Sequence, residues 1–399
     1  MAEAVLKLQP AREKSRQSIW TVAALSALML ASACQMVPKG KGPITTAPPP
    51  RDVVTPIGEL PEDQQRHRIA LLVPMTGADA GVGQSIANAA NLAVLDTGGK
   101  AIRVTTYDTA LGAAAAAQKA IADGNKLILG PLLAADATAI APIARKAGVP
   151  LLSFSNDVSV AGNGTYVLGF TPVQSIERVV DYARSKGVDS FAALIPSGVY
   201  GQRTSTAFLR AVESSGGRVV SMQNYDRSQK SINAAVTKLQ QSGSYDALMI
   251  ADSGGVAIQA APLVRQKGGA AARILGTELW NTEPRLLTAP ALRGAWFASV
   301  SDTLYTQFAT KYRARYARAP YRLASLGYDA VLLVVRVARD WKVGSAFPAR
   351  QLSDSGGFGG VDGAFRFGKD GVAERMLEVQ QVDAGKLTIL SPAPGKFGQ

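Results

Sequence analysis

From Arg68 onward, short runs of consecutive apolar residues alternate with stretches whose apolar positions recur at helical spacing. Ile69-Ala-Leu-Leu-Val, closed by Pro74, reads as a buried strand. A Gly-rich loop, Thr76 to Gly83, follows, and then a helix over 84–95 with Ile86, Ala90 and Leu92-Ala-Val on one face. The pattern predicts further strands at 102–108, 127–130 and 150–154, separated by an Ala-rich helix over 111–123 and a helix over 136–148. It then restarts. Helices are predicted at 176–186, 201–215, 231–243 and 256–267, and strands at 190–195, 218–222, 247–251 and 273–276. Strands that alternate with helices across short loops predict a parallel sheet covered on both faces, here in two successive α/β units. The tail departs from the alternation, with helices over 303–319 and 328–341 and a strand over 375–382.

The first 66 residues follow other rules. A basic leader containing Lys7, Arg12, Lys14 and Arg16 precedes an uncharged apolar run, Ile19 to Ala33, which ends at the chain's single cysteine, Cys34. This is the layout of a secretory signal, and the run is shorter than the roughly 20 apolar residues of a membrane span. The small-small-Cys ending resembles the bacterial lipobox, although Leu30 stands one place further back than usual. The resemblance implies removal of residues 1–33 and diacylation of Cys34. The plainer alternative is an ordinary signal peptide with an incidental cysteine. Gln35, where an Asp would resemble an inner-membrane retention signal, favours the outer membrane. Residues 34–66, rich in Pro, Gly and Lys, read as an extended, solvated linker. The expected address is the cell envelope, lipid-anchored and facing the periplasm.

With 47% hydrophobic and 18% charged residues, the remaining chain can bury a sizeable core. One cysteine excludes an internal disulfide, and His67 is the only histidine, so no Cys/His metal site is expected and no cofactor is implied. The net charge is +13, of which the leader holds four basic residues against Glu3 and Glu13, so +11 remains after it. Such a balance favours anionic partners, or serves solubility. Nucleic acid is a poor match for an exported chain without basic-aromatic interleaving.

Several strings resemble enzyme motifs. Asp252-Ser253-Gly-Gly255 looks like a serine-protease fragment, but Asp354-Ser-Gly-Gly357 repeats it, and a triad would need His67 beside the linker. Gly81-Val-Gly83 lacks the third glycine of a dinucleotide turn. A carboxylate pair drawn from Asp157, Asp252 and Glu278 remains open.

The ordered series of segments resembles the type I periplasmic binding proteins of the leucine/isoleucine/valine-binding kind. The segments are Met75-Thr-Gly with Gly83, Leu129-Gly-Pro131, Gly148-Val-Pro-Leu-Leu-Ser153, Tyr200-Gly, the Phe308/Tyr312/Tyr316/Pro320 series, Gly327-Tyr-Asp-Ala-Val331 and Gly359-Gly-Val-Asp-Gly. The resemblance implies two Rossmann-like lobes with parallel sheets, joined by three crossovers around an interlobe cleft. Lobe 1 would comprise 67–172 and 299–370, and lobe 2 would comprise 173–298 and 371–395. It implies ligand-cleft positions at Thr76, Ser155, Asn156, Tyr200 and Glu278, with Asp157, Asp252, Ser253 and Trp280 as further candidates. Glu278 matches the acid that meets an amino group in amino-acid-binding members. The carboxylate-binding half departs from the pattern: Ala134 stands where a serine is usual, Asp157 where a threonine is usual, and Val82 where an aromatic is frequent.

Cys34, the linker and Gly276-Thr-Glu-Leu-Trp280 together resemble the penicillin-binding protein activator lipoproteins. That branch implies a non-enzymatic protein whose partner is a peptidoglycan synthase. The alternative is a lipidated solute-binding receptor of an ABC transporter for an amino acid or similar small polar ligand.

Overall fold

The computed structural model describes residues 65–397 except 268 and 270; the leader, Cys34 and most of the linker lie outside the described residues. The first sheet is built from β1 (His67–Val73), β2 (Ile102–Asp108), β3 (Leu127–Leu129), β4 (Leu151–Ser153) and β5 (Thr165–Val167). Its order is β2-β1-β3-β4-β5 and every pairing is parallel. The connecting helices are α1 (Ala80–Asp96), α2 (Ala113–Ala122) and α3 (Ala134–Lys146). Alternation along β1 decides what each residue meets. Ile69, Leu71 and Val73 pack into the core beneath α1, while Ala70 and Leu72 point to the opposite face, against Ala117 of α2 and Ile140 of α3.

Lobe 2 repeats the device. It begins with α4 (Pro172–Ser185) and continues with β6 (Ser190–Pro196), α5 (Val199–Ser214), β7 (Arg218–Tyr225), α6 (Gln229–Gln241), β8 (Ala247–Ile250), α7 (Gly254–Gln266), β9 (Arg273–Gly276) and β10 (Trp296–Ser299). Phe191, Ala193 and Ile195 of β6 face α4 and α5, and Ala192 and Leu194 face α6 and α7. The two lobes also share a turn. A Cβ on Gly83 would lie 1.8 Å from the carbonyl oxygen of Pro74, and one on Gly201 would lie 1.6 Å from that of Pro196. In each lobe a strand ends in proline and the first turn of the next helix crosses directly over it, which only glycine permits.

After β10 the chain returns to lobe 1. Helices α8 (Thr303–Tyr316) and α9 (Ala324–Val337) join α1 on its face of the first sheet, where Phe308, Tyr312, Val331 and Val334 enter the core. A small antiparallel sheet of β11 (Phe358–Gly360), β12 (Gly363–Phe367) and β13 (Ala373–Arg375) seals that core with Phe358, Phe365 and Phe367. Finally β14 (Glu378–Asp383) and β15 (Lys386–Ser391) add an antiparallel edge to the second sheet, whose order is β15-β14-β10-β9-β8-β6-β7.

Several details differ from the sequence reading; the helix expected over 328–341, for one, spans Ala324–Val337. The strand expected over 375–382 is two strands: Ala373–Arg375 pairs with β12, Glu378–Asp383 pairs with β10, and the third crossing runs through Met376-Leu377 between them. Helix α8 stops at Tyr316 because Ala317 adopts a left-handed conformation, φ 54°. Among the described residues no helix is long and apolar enough to cross a membrane, and no group of three or more His, Cys, Asp or Glu side chains is placed to hold a metal ion.

Candidate functional site

In open parallel sheets, ligands bind at the carboxyl ends of the strands, and the loops there carry most of the residues singled out from sequence. In lobe 1, the loop after β1 is fastened to the end of β2. The backbone N–H of Met75 donates to Asp108 Oδ1 (2.8 Å) and the Thr76 hydroxyl donates to Asp108 Oδ2 (2.7 Å). After β4, Ser155 is buried and its hydroxyl oxygen accepts from the Asp157 N–H (3.0 Å), while Asn156 is exposed. Asp157 accepts from the N–H and hydroxyl of Ser159 (2.8 and 2.5 Å) and forms an ion pair with Arg203 of α5, across the cleft in lobe 2. Burial alone would raise its pKa, but the bonds from Ser159 and Arg203 outweigh it and hold the carboxyl below the usual range.

In lobe 2, the Tyr200 hydroxyl donates to Glu278 Oε1 (3.0 Å) and lies 3.2 Å from Thr277 Oγ1. Burial, then the Glu278 charge, push the tyrosine well above its ordinary value. Glu278 as a residue is partly exposed, yet its Oε2 is shielded and has no hydrogen-bond partner among the described residues. Burial pushes this carboxyl from 4.5 up to about 7.

Glu278 lines a cavity of about 30 Å³ at the point where all three crossings meet. Phe170 and Thr171 come from the first crossing, Val300 from the second, and Arg375 and Leu377 from the third; Arg322 enters from the segment before α9. That volume holds about two water molecules, and the Asp157–Arg203 ion pair joins the two lobes across the cleft. Arg322 is anchored by Asp362 (2.6 Å) and Asp302 (3.4 Å), and its guanidinium lies 3.9 Å from the centre of the Tyr305 ring. Arg375 is sandwiched between Phe170 (4.7 Å) and Phe365 (5.2 Å) and donates from Nη2 to the Leu168 carbonyl (2.6 Å).

Three sequence candidates lie elsewhere. Asp252 is 2% exposed and its carboxylate is spent inside lobe 2, accepting from Arg227 Nε (2.8 Å), the Tyr225 hydroxyl (2.8 Å) and the Ser253 N–H (2.7 Å). It therefore forms no catalytic carboxylate pair with Asp157 or Glu278. Ser253 is the N-cap of α7, accepting from the Val256 N–H at 3.4 Å. Trp280, 1% exposed, is turned into the lobe 2 core, where it lies over Gly276, tilts against Phe297, and donates from Nε1 to the Asp252 carbonyl (3.1 Å). His67 stacks on Trp341 at 3.8 Å, at the start of β1 and away from the cleft.

The structure also brings in residues that sequence reasoning passed over: Arg203, Arg322 and Arg375. Arg203 was within reach, because it follows Tyr200 by three residues and so shares its face of α5. The two hinge arginines carry no local signal. Their partners lie 40 residues away for Arg322–Asp362 and 207 for Arg375–Leu168.

Two α/β lobes joined by three passes around a cleft define a two-lobed binding protein. The chain belongs to the periplasmic binding protein family, which matches residues 67–386. It is 27% identical over 180 residues to an uncharacterized protein of Rickettsia prowazekii; the match covers 45% of this chain and about half of that protein (48%). Among solved structures it is similar to a leucine-binding protein from Thermotoga maritima, with a TM-score of 0.64, 21% identity, and coverage of 82% of this chain and 99% of that one. A putative branched-chain amino acid ABC transporter protein from Rhodospirillum rubrum gives a TM-score of 0.72 and 21% identity, covering 82% and 100%. An ABC transporter solute-binding protein from Rhodopseudomonas palustris, in complex with 3,4-dihydroxybenzoic acid, gives 0.66 and 21%, covering 82% and 97%. At these identities the likeness defines the fold. Family membership places the protein in the periplasm or envelope, among binding proteins that are not enzymes.

Proposed function

We propose that the protein is a solute-binding receptor that closes its lobes on a small polar ligand and presents it to an ABC transporter. The observation that carries this reading is the hinge cavity, into whose lining the fold delivers Glu278 with one carboxylate oxygen unpartnered among the described residues. A buried acceptor without a donor costs about 1–3 kcal/mol, and a ligand amine or hydroxyl removes that cost. Tyr200 fixes the other oxygen and so aims the free one. The present volume requires the lobes to part for entry, as hinge-closing binding proteins do. Asp157, which in the sequence spoils a carboxylate site, is neutralised by Arg203 and so does not repel an acidic ligand. The similarity to transporter binding proteins supports the same reading.

The test is a thermal-shift and calorimetry screen of the full chain with amino acids and hydroxylated aromatic acids. Binding that is lost in Glu278→Ala supports the receptor. A pull-down from membranes separates it from the activator reading, which draws on Cys34, the linker and the basic charge. Recovery of a permease supports the receptor. Specific recovery of a peptidoglycan synthase, with no solute bound, replaces it with an activator. Lipid attachment at Cys34, on the outer or the inner membrane, is a separate proposal. Palmitate labelling that persists in Cys34→Ala refutes it.

A further inference from the structure

Arg375 is a charged group buried without a matching charge in contact. It is 9% exposed, and among the described residues its guanidinium makes one hydrogen bond, to a backbone carbonyl, while its Nε and Nη1 have no partner. No carboxylate of a described residue lies within ion-pair distance of it. The carboxylates that act on it from further off are Asp362 and Asp329. Asp362 is already paired with Arg322 at 2.6 Å, and Asp329 accepts from the N–H groups of Val361 (2.7 Å) and Asp362 (3.4 Å). The flanking Phe170 and Phe365 rings partly offset the charge but offer no acceptor for the in-plane N–H groups. Arg322 next to it also has a buried, unpartnered Nε. Both side chains line the hinge cavity together with Glu278. Water can satisfy N–H groups in a cavity of this size but does not neutralise a guanidinium. An unpaired buried charge is strongly destabilising, whereas a carboxylate meets the planar fork of an arginine with two parallel bonds.

We propose that the hinge cavity is a carboxylate site, in which Arg375, assisted by Arg322, takes the acidic group of the ligand while Glu278 takes a donor on the same molecule. The inference rests on the receptor reading for its biological ligand, and names the class: a small acid that also carries an amine or hydroxyl. It puts the ligand's carboxylate at the hinge, where the third crossing supplies the charge. The first-lobe loops, in which Ala134 replaces the expected hydroxyl and Asp157 is locked to Arg203, are not required.

Acetate, the smallest anion with a carboxylate and a methyl group, is the direct probe, and chloride at equal ionic strength, which cannot meet a guanidinium with two parallel bonds, is the control anion. The melting temperature of the full chain is measured as acetate replaces chloride. The expected result is a rise of about 2 °C or more near saturation, absent in Arg375→Met and retained in Ser253→Ala, whose hydroxyl caps α7 away from the cavity. No rise in the wild type, or an equal rise in Arg375→Met, overturns the proposal. If Arg375→Met does not fold, Arg375→Lys keeps the charge but loses the fork, and the acetate concentration for half-effect should increase about fivefold or more; an unchanged value is equally fatal. Leucine against leucinamide separates the two readings. If both bind alike and acetate is inert, the receptor stands and the carboxylate site falls. If acetate acts through Arg375 but no solute binds and no permease is recovered, the site stands and the receptor reading falls.

Discussion

Glu278→Gln isolates what it costs this fold to keep a buried acid at the hinge. In the folded protein the carboxyl titrates near 7, and in the unfolded chain near the ordinary glutamate value of 4.5. Between those values the native state binds the extra proton, so stability falls as pH rises from 4.5 to 7 and is level above. The interval, at about 1.4 kcal/mol for each pH unit, corresponds to about 3 kcal/mol of native-state stability lost by pH 8, as an order of magnitude. Glutamine does not titrate, yet its carbonyl oxygen still accepts from Tyr200. Its amide group introduces a fixed, pH-independent cost, so the informative quantity is the pH dependence of the difference between variant and wild type. Guanidinium unfolding of both proteins at steps from pH 4.5 to 8 should show Glu278→Gln gaining on the wild type by about 3 kcal/mol across the range. Two stability curves that run parallel within about 0.5 kcal/mol refute a buried, desolvated Glu278. The same proton links to binding: a cationic ligand group needs the ionised form, so its affinity should rise with pH through 7.

Asp157→Asn removes the charge that joins the lip of lobe 1 to Arg203. Losing a charge-assisted contact worth about 1.5–3 kcal/mol should shift the closed-to-open ratio about tenfold or more, seen as a larger radius of gyration in X-ray scattering; unchanged scattering sinks the idea that the pair holds the lobes shut. Trp280→Ala should cost about 3–5 kcal/mol of stability, and any ligand that binds the wild type should bind the folded variant with the same affinity, because the indole packs the lobe 2 core. Asp252→Asn weakens the Arg227 and Tyr225 contacts and should lower the melting temperature without altering ligand affinity; a selective loss of binding would return Asp252 to the cleft.

The alternation of strands and helices was legible because both sheets are sandwiched. Strands buried on both faces, such as Ile69–Val73 and Phe191–Ile195, appear as unbroken apolar runs. The short β5 and the β11–β13 sheet were less visible, since Thr165–Val167 and Phe358–Gly360 are three residues each and gain their stability from pairing with distant segments. Of the cleft, Tyr200 and Glu278 were legible as a pair of types, and the structure adds that they touch. Trp280 and Asp252 misled because residue type does not encode direction: the indole points back over Gly276, and the acid is met by Tyr225 and Arg227 from the end of β7, two places along the sheet from β8. Arg375 was invisible for the opposite reason. An arginine in a surface-like Glu-Arg-Met sequence is ordinarily solvated, and only the crossing of the chain between lobes buries it.

His67, packed on Trp341, opens β1 at the edge of the first sheet where the strands begin; the cleft loops leave the edge where they end. The seven-residue β1 separates these edges by about 20 Å. Whatever restrains the chain ahead of His67 therefore grips the protein by the pole remote from its binding surface. A pull applied there enters lobe 1 through β1 and does not run through the three crossings between the lobes.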